Sequence, residues 1–379
     1  MRKAAIITLN GYFNYGNRLQ NYALQEVIKQ LGFEVETILH HELPHVNNET
    51  KIFNNVKRLA RNLNPFSLKR KISNKMLSNK KKYAIKYRIP EFKKFTEKYI
   101  KETNFTISSD NIPDNLANKY EYFVVGSDQV WNPFYQKREN ILPAIEYLTF
   151  APKEKRLSYA ASFGITSIPE KFIPRVRNGL MGMKSILVRE HAGIEIVKKL
   201  TGRKAHVVLD PTMLLTKEKW LSIAKPHNKK PRSKYLLTYF LGKISKESAS
   251  FINQVAEEYD LEVIHLENYE DIELFKADPS HFIDFINSAS IFLTDSFHGV
   301  AFSIVLETPF IVFEREENGP SMYSRIETLL QTFDLENRQY IRIKKRPLEW
   351  MAIDFTKAKE ILNEERRKSL FLFRNSFIQ

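Results

Sequence analysis

Short apolar segments alternate with amphipathic helical segments along most of the chain, and this alternation limits the possible folds more than any other feature. Strands are predicted wherever four to seven mostly apolar residues lie between turn signals, and helices wherever apolar residues recur at helical spacing. The predicted strands are residues 4–8, 33–39, 122–125, 157–162, 185–188, 205–209, 235–240, 262–265, 291–294 and 310–313. Strands that alternate with helices form parallel sheets covered on both faces. The sequence therefore predicts an α/β protein with parallel sheets.

A chain of 379 residues is too long for one ordinary hydrophobic core, so two domains are expected. The segment 225–233 contains two prolines and four basic residues without apolar periodicity, and it is the predicted linker. We expect an N-terminal domain over 1–224, a C-terminal domain over 234–345 and a helical tail over 346–379 that packs back. Ligands of open parallel sheets bind at the carboxyl ends of the strands. The active site is therefore predicted in the cleft between the domains.

The composition excludes several classes of site. The chain has no cysteine, which excludes disulfides, a thiol nucleophile, Cys-ligated zinc and iron–sulfur clusters. His40, His41 and His45 have no carboxylate cluster at ligand spacing beside them, so no metal site is expected. No stretch approaches the roughly 18 apolar residues of a membrane helix, and residues 4–9 predict a buried strand rather than a signal peptide. The protein is expected in the cytoplasm.

One basic segment, residues 51–101, carries the whole charge imbalance. It contains 17 Lys or Arg residues against Glu91 and Glu97, so its net charge of +15 equals that of the entire chain. The segment is predicted to be helical, and its aromatic residues are expected to pack inward rather than to form a platform for bases. We therefore favour a solvated helical face, or peripheral contact with an anionic membrane, over nucleic-acid binding.

The most informative turn is Asp295-Ser296-Phe297-His298-Gly299, where a predicted buried strand ends and a helix begins. The free N–H groups of a helix start bind anions, and a histidine in the first turn adds a proton or a charge-assisted hydrogen bond. The structural alternative is that Asp295 or Ser296 only caps the helix and His298 lies at the surface. We favour a functional site here.

Other turns follow predicted strands. In Gly126-Ser127-Asp128-Gln129, polar side chains can bind a polyhydroxylated ligand or deprotonate it, although Asp128 can equally cap a helix. The loop that leads to Gly16-Asn17-Arg18 is glycine-rich, but it has neither a dinucleotide-binding fingerprint nor a P-loop.

Two further strand ends carry charge. Arg189 follows a strand directly and can clamp a carboxylate or a phosphate, or form a surface salt bridge with Glu190. Asp210-Pro211-Thr212 is interpreted as a structural turn.

At these positions the sequence resembles the polysaccharide pyruvyl transferase family. The resemblance extends over residues 4 to about 335, and its motifs occur in the family's order. The matching segments are residues 14–25, 124–132, 158–164, 188–190, 207–212 and 294–299.

The resemblance implies two Rossmann-like halves, similar to GT-B glycosyltransferases, and transfer of the enolpyruvyl unit of phosphoenolpyruvate to a sugar, usually as a ketal. The implied acceptor is a cell-surface polysaccharide or its lipid-linked precursor, and no cofactor is implied. Its motifs place His298 and Arg189 at the donor, together with Ser296 and Gly299. Glu307 matches the family's His-x8-Glu spacing and is a third catalytic candidate beside His298 and Asp128. The acceptor candidates are Gly16, Asn17, Arg18, Ser127 and Gln129.

The family also has a cation beyond the histidine helix, where this chain offers Arg315 and Arg325. We prefer Arg325 because Glu314, Glu316 and Glu317 would largely neutralise Arg315. Two alternatives to pyruvyl transfer remain: a GT-B glycosyltransferase that uses a nucleotide sugar, and a nucleic-acid- or membrane-binding protein that retains a transferase fold.

Overall fold

A computed structural model describes residues 2–41, 65–135, 143–315 and 323–378, with side chains between 65 and 99 described from residue 80 onward. The helix predicted over residues 51–64 and the charged loop at 316–320 lie outside the described residues.

The first sheet has seven parallel strands in the order β3-β2-β1-β4-β5-β6-β7. Six of them fall where the sequence predicts strands, and β3 is an edge strand that the sequence analysis missed. Its polar residues Thr103, Asn104 and Thr106 carry no continuous apolar signal, and its pairing with β2 is irregular. The strands are β1 Lys3–Ile7, β2 Glu34–His40, β3 Glu102–Ile107, β4 Tyr122–Asp128, β5 Arg156–Ala161, β6 Leu187–Val188 and β7 His206–Val207.

The second sheet has four parallel strands in the order β11-β10-β8-β9, and all four were predicted. They are β8 Tyr235–Tyr239, β9 Glu262–His265, β10 Ile291–Thr294 and β11 Phe310–Val312. Two parallel α/β sheets are therefore confirmed, one on either side of the predicted linker 225–233. The exact domain bounds stay a prediction.

Helices connect the strands, and several begin at a polar cap. Asn14, Ser245, Asp278 and Ser296 each accept a hydrogen bond from the first turn of the helix that follows. The α-helices are α1 Tyr15–Gln30, α2 Pro65–Tyr99, α3 Leu116–Lys119, α4 Ile173–Met181, α5 His191–Thr201, α6 Pro211–Leu214, α7 Lys217–Leu221, α8 Lys246–Glu258, α9 Ile272–Phe275, α10 Pro279–Ser288, α11 Phe297–Leu306, α12 Ser324–Thr332, α13 Tyr340–Ile343 and α14 Thr356–Ile378. None of the helices in the described ranges is long and apolar enough to cross a membrane.

The two sheets share an apolar core at the start of α1. The ring of Tyr15 stacks on Phe282 of α10 with centroids 4.3 Å apart, and its hydroxyl donates to the Ala277 carbonyl at 3.0 Å. Leu19 of α1 and Phe302 of α11 belong to the same buried cluster. Burial of this much aromatic surface holds the helix starts of both sheets against each other.

The described end of the basic segment is largely structural. Phe92 and Phe95 of α2 are buried, whereas Tyr83 and Tyr87 are exposed. Buried Arg88 donates to the carbonyls of Phe275, Leu266 and Phe13 at 2.6, 3.1 and 3.3 Å, and pairs with Glu267 at 2.6 Å. The prediction that the aromatic residues pack inward is therefore confirmed for Phe92 and Phe95 and wrong for Tyr83 and Tyr87. The buried side of residues 80–99 packs between the two halves through Arg88.

The last helix, α14, packs on the first sheet. Phe373 contacts Tyr159 with centroids 4.3 Å apart, and Ser369 accepts a hydrogen bond from the Leu209 amide at 3.0 Å. The tail thus returns from the second sheet to the strand ends of the first.

Candidate active site

Charged residues converge where strands of both sheets end and helices begin. Asp128 ends β4, Arg189 follows β6 and Asp210 follows β7, so all three lie at the carboxyl edge of the first sheet. His298 lies in the first turn of α11, directly after β10 of the second sheet. Parallel strands bring their carboxyl ends to a common edge, which explains how residues so distant in sequence meet.

Arg189 joins two carboxylates. Its Nη2 donates to Asp128 Oδ1 at 3.1 Å, its Nη1 donates to Asp210 Oδ2 at 3.0 Å, and its guanidinium carbon lies 4.3 Å from the centroid of the Phe297 ring. The guanidinium is 3% exposed. The alternative of a surface salt bridge with Glu190 is therefore wrong, because Arg189 points into the cleft instead.

The His298 ring is held between the two halves. Its Nε2 lies 3.9 Å from Asp210 Oδ2 and has no hydrogen-bond partner among the described residues. On the other side, a Cβ added to Gly16 would lie only 2.1 Å from His298 Nδ1. The absence of a side chain at Gly16 is thus what allows α1 to approach the ring.

Asp128 receives three hydrogen bonds. Besides Arg189, Asn17 Nδ2 donates to Oδ2 at 2.5 Å and the Gln129 amide donates to Oδ1 at 2.9 Å. Since Asn17 neighbours Gly16, the first turn of α1 contacts both Asp128 and His298. The structure therefore brings five of the predicted site residues together: Gly16, Asn17, Asp128, Arg189 and His298.

Opposing effects set the protonation of this cluster. Burial acts to raise the pKa of Asp128 and Asp210, but the cationic groups around them outweigh it and hold the pKa of both carboxyls below the usual range. Burial lowers the pKa of His298, although Asp210 and Asp128 counteract this, while Arg189 and Arg325 reinforce it. The unliganded site thus combines two carboxylates, a guanidinium and a neutral imidazole at neutral pH.

Arg325, in the first turn of α12, is the second cation of the site. Its Nη1 and Nη2 lie 3.2 and 3.3 Å from the Gln129 side-chain oxygen when the amide is oriented to accept from them. Burial, followed by repulsion from Arg189, lowers the pKa of Arg325 to about 10. Arg315 is committed elsewhere, because its Nε donates to Asp295 Oδ2 at 3.1 Å. The preference for Arg325 therefore agrees with its position, although Asp295 is a partner of Arg315 that the argument from neighbouring glutamates did not foresee.

The remaining donor candidates shape the helix start. Ser296 caps α11, where its Oγ accepts from the Gly299 amide at 3.3 Å. A Cβ at Gly299 would lie 2.8 Å from Thr294 Oγ1, so the glycine allows the helix to pack close to its strand. Asp295 accepts from the amides of Leu241 and Gly242 at 2.7 and 2.8 Å. Ser296 is therefore the cap of α11, as the structural alternative predicted, and the cap also positions His298 in the first turn of that helix.

Ser127 links the strand end to Asp210. Its Oγ donates to Asp210 Oδ2 at 2.5 Å, and its amide donates to Gln20 Oε1 at 3.1 Å. Asp210 also caps α6 by accepting from the Thr212 amide and hydroxyl at 3.0 and 2.8 Å. The interpretation of Asp210 as purely structural is therefore incomplete. Its position directly after a strand, like those of Asp128 and Arg189, was the signal available in the sequence.

Glu190, the residue after Arg189, is a buried carboxyl beside the cluster. Its Oε1 accepts from Ser162 Oγ and the Phe163 amide at 3.0 and 2.9 Å, whereas its buried Oε2 has no partner among the described residues. Burial raises the pKa of this carboxyl, against the effect of Arg189 and Arg325.

Two predicted site residues lie elsewhere. The Arg18 guanidinium donates to Glu102 Oε1 at 2.7 Å and to the Leu9 carbonyl at 3.0 Å, away from Asp128. Glu307 lies at the opposite end of α11 from His298 and pairs with Lys359 at 3.1 Å. Nine residues of helix separate the two by roughly 13 Å along its axis. The structure therefore does not place Glu307 at the reacting centre. No group of three potential metal-ligating side chains occurs in the described ranges.

Solved structures with a similar fold include nucleotide-sugar enzymes. UDP-GlcNAc 2-epimerase from Methanocaldococcus jannaschii, in complex with UDP-GlcNAc and UDP, is 13% identical, covers 96% of this chain and 99% of its own, and has a TM-score of 0.50. Spinosyn rhamnosyltransferase SpnG complexed with thymidine diphosphate is 11% identical, covers 99% of both chains and has a TM-score of 0.41. Similarity at such identities shows the fold alone, and that fold is GT-B-like.

The sequence itself assigns the family. A search of curated protein sequences finds no match. The family model described as polysaccharide pyruvyl transferase matches residues 14–317, a span that contains Gly16, Asp128, Arg189, Asp210 and His298. The chain therefore belongs to the polysaccharide pyruvyl transferase family.

Proposed function

We propose that this protein transfers the enolpyruvyl unit of phosphoenolpyruvate to hydroxyls of a glycan or a lipid-linked saccharide, forming a ketal. The observation that carries the proposal is the buried cluster of Arg189, Arg325 and His298 beside Asp128 and Asp210. Phosphoenolpyruvate carries a carboxylate and a phosphate on one small molecule, and two buried guanidiniums are suited to hold a ligand with two anionic groups.

Two hydrogen-bonding atoms of this cluster support a ligand there. Arg189 Nε and His298 Nε2 are buried and have no hydrogen-bond partner among the described residues. Buried polar groups are almost always paired, and an unpaired one costs about 1–3 kcal/mol. A bound anion that accepts from Arg189 Nε would remove part of this cost.

The reaction needs balanced proton transfers. One hydroxyl of the acceptor bonds to C2 of the donor, C3 gains a proton to become a methyl group, and the C2–O bond to phosphate breaks. A second hydroxyl then completes the ketal, and its proton leaves with the phosphate. The site must therefore supply a base, an acid and stabilisation of the departing phosphate.

His298 is suited to act first as the general base and then as the general acid. Because its pKa is lowered, the imidazole is neutral near pH 7 and can accept the proton of an acceptor hydroxyl. The imidazolium that results is stabilised by Asp210, 3.9 Å away, and can then protonate C3. Asp128, whose lowered pKa keeps it ionised, orients the acceptor hydroxyl by accepting its hydrogen bond. Glu307 takes no part.

The donor is tested by calorimetric titration of phosphoenolpyruvate into the wild type and into Arg189→Lys, His298→Gln and Glu307→Gln. Loss of a charge-assisted hydrogen bond costs about 1.5–3 kcal/mol, or roughly 10- to 150-fold in Kd. We expect that loss for the Arg189 variant, a measurable weakening for His298→Gln and no change for Glu307→Gln. Heat from UDP-GlcNAc with none from phosphoenolpyruvate would replace this proposal by a glycosyltransferase function.

The role of Asp210 is tested by Asp210→Asn. If Asp210 stabilises protonated His298, this variant lowers the pKa of the His298 ring further, which NMR titration of the imidazole detects. An unchanged histidine titration would remove Asp210 from the proton-transfer scheme. The membrane contact predicted for residues 51–101 stays a separate hypothesis about the exposed face of α2, where Tyr83 and Tyr87 lie. The vesicle experiment described below decides between that face and another surface of the protein.

A further inference from the structure

A basic surface with protruding aliphatic side chains lies on the flank of the second sheet, beside its edge strand β11. Ile341 is 69% exposed and Leu348 is 90% exposed. Arg342, Lys345 and Arg346 are exposed between them. We call Ile341, Arg342, Lys345, Arg346 and Leu348 the flank surface.

The backbone beneath the flank surface is firmly anchored. Buried Arg338 donates to the carbonyls of Phe310, Glu349 and Trp350 at 2.8, 2.9 and 2.5 Å. Trp350 is buried, and its indole nitrogen donates to the Ile343 carbonyl at 3.0 Å. The exposure of Ile341 and Leu348 is thus imposed by a rigid platform, and it leaves two large aliphatic side chains in water.

Charge on this platform is mostly uncompensated. Arg346 pairs with Glu349 at 3.5 Å through two exposed side chains, an arrangement that contributes little. Arg342 and Lys345 have no ion-pair partner within the described part of the chain. The flank surface therefore carries a net positive charge next to its apolar side chains.

A chain of contacts connects the flank surface to the active site. Tyr340 and Lys344 both donate to Glu247 Oε1 at 2.9 Å, in the first turn of α8. The loop before that helix exposes Ile244, and its amides at 241 and 242 donate to Asp295. Asp295 immediately precedes the cap of the His298 helix.

We propose that the flank surface docks the protein on a bilayer that contains anionic lipids. Basic residues attract anionic headgroups, and aliphatic side chains enter the boundary between headgroups and acyl chains. A single-stranded nucleic acid would engage the basic residues but leave Ile341 and Leu348 in water, since stacking on bases requires aromatic side chains. The flank surface runs along α8, from Glu247 in its first turn to Tyr259 at its end, where the Tyr259 hydroxyl donates to the Pro347 carbonyl at 2.8 Å. Docking here therefore holds the side of the second sheet against the membrane.

A chemically similar stripe on α14 provides a matched control. Arg367, Phe371, Arg374 and Ile378 are all exposed and follow one another at helical spacing. The helix runs along the first sheet, from Arg366, which donates to the carbonyls of Met213 and Leu215, to Phe377, whose carbonyl accepts a hydrogen bond from Tyr122 at the start of β4. A membrane at the α14 stripe would contact the first sheet instead of the second.

The experiment measures sedimentation of the full chain with mixed phosphatidylcholine–phosphatidylglycerol vesicles and with phosphatidylcholine vesicles alone. The variants are Ile341→Ser with Leu348→Ser, and Arg342→Gln with Lys345→Gln. The controls are Phe371→Ser with Arg374→Gln on α14, and Lys82→Gln with Lys86→Gln on α2. All of the substituted side chains are exposed. Thermal unfolding verifies that each variant is folded.

We expect binding to the anionic vesicles only, weakened by salt. Each basic residue near an anionic surface contributes roughly fivefold to partitioning, so the charge variant loses about 25-fold. The apolar variant loses at least tenfold, and both controls bind like the wild type.

Absence of wild-type binding overturns the proposal, as does an apolar variant that binds normally. Loss confined to the α2 variant assigns the contact to the basic segment and overturns the proposal, and loss confined to the α14 variant overturns it in favour of the last helix. Since the measurement uses vesicles alone, its result is independent of whether phosphoenolpyruvate is the donor.

Discussion

The contact between Gly16 and His298 makes a quantitative test of the site possible. A Cβ at position 16 would lie 2.1, 2.5 and 2.6 Å from Nδ1, Cγ and Cε1 of the His298 ring. An ordinary van der Waals contact is about 3.5 Å, so Gly16→Ala must displace the ring or the helix by about 1 Å. The substitution changes one methyl group, but it acts on a catalytic side chain in the other half of the molecule.

The size of the effect follows from packing. Overfilling a buried contact costs about 1–3 kcal/mol of unfolding free energy. In a His298→Ala background the obstructing ring is gone, and alanine in place of glycine in a helix then stabilises by up to about 1 kcal/mol. The double-mutant cycle should therefore show a coupling of about 1–4 kcal/mol between the two positions. A misplacement of about 1 Å at a reacting group also lowers the rate by roughly 100-fold.

The assay is chemical denaturation of the wild type, both single variants and the double variant, together with phosphate release from phosphoenolpyruvate. Gly182→Ala is the control, because the nearest atom to its added Cβ is the tip of the Arg156 side chain at 2.5 Å, which can move. If Gly16→Ala destabilises the protein equally with and without His298, the two residues do not touch, and the assembly of the site across the two halves is wrong.

Three further results are expected. Glu307→Gln should leave phosphate release unchanged in a steady-state assay, because Glu307 pairs with Lys359 at the far end of the His298 helix; a loss as large as that of His298→Gln would contradict its placement. Arg88→Met should lower the unfolding free energy by about 3–5 kcal/mol, since it removes the charge partner of Glu267 and the donor to three carbonyls, whereas exposed Lys86→Met should change it by less than about 0.5 kcal/mol. The lowered pKa of His298 means that the unfolded chain binds its proton more readily, so stability should fall as pH drops below about 6.5, and His298→Asn should flatten this slope in denaturation series at several pH values.

The strand at residues 102–107 illustrates where sequence patterns fail. Most of its residues are polar, so it shows no alternation of apolar and polar residues. It lies at the edge of the sheet and pairs with β2, and this pairing is a tertiary contact that a local sequence window does not contain. Central strands such as β1 and β10 are buried on both faces and therefore consist of continuous apolar residues that any periodicity analysis detects.

The candidate site likewise contains residues that the sequence identifies and residues that only the structure identifies. The turns at Asp128, Arg189 and His298 are recognisable because a polar residue directly follows a buried strand. Asp210 has the same signature, yet its Asp-Pro turn equally suits a helix cap, and only its contact with Arg189 separates the two roles. The family's spacing suggested Glu307, but a helix carries the ninth residue to its opposite end.

The sequence by itself determined the parallel α/β class, the strand ends at which polar residues collect, and the family to which the chain belongs. Periodicity and turn chemistry are local, so they are visible in any window of about ten residues. Only the tertiary structure decided which of these ends meet: that Gly16 touches His298, that Arg189 binds Asp128 and Asp210, and that Arg18 turns away to Glu102. Those contacts join residues from 21 to 282 positions apart. The order of the strands in the first sheet brings Arg189 to Asp128 and Asp210, whereas the packing of the two sheets against each other brings Gly16 to His298.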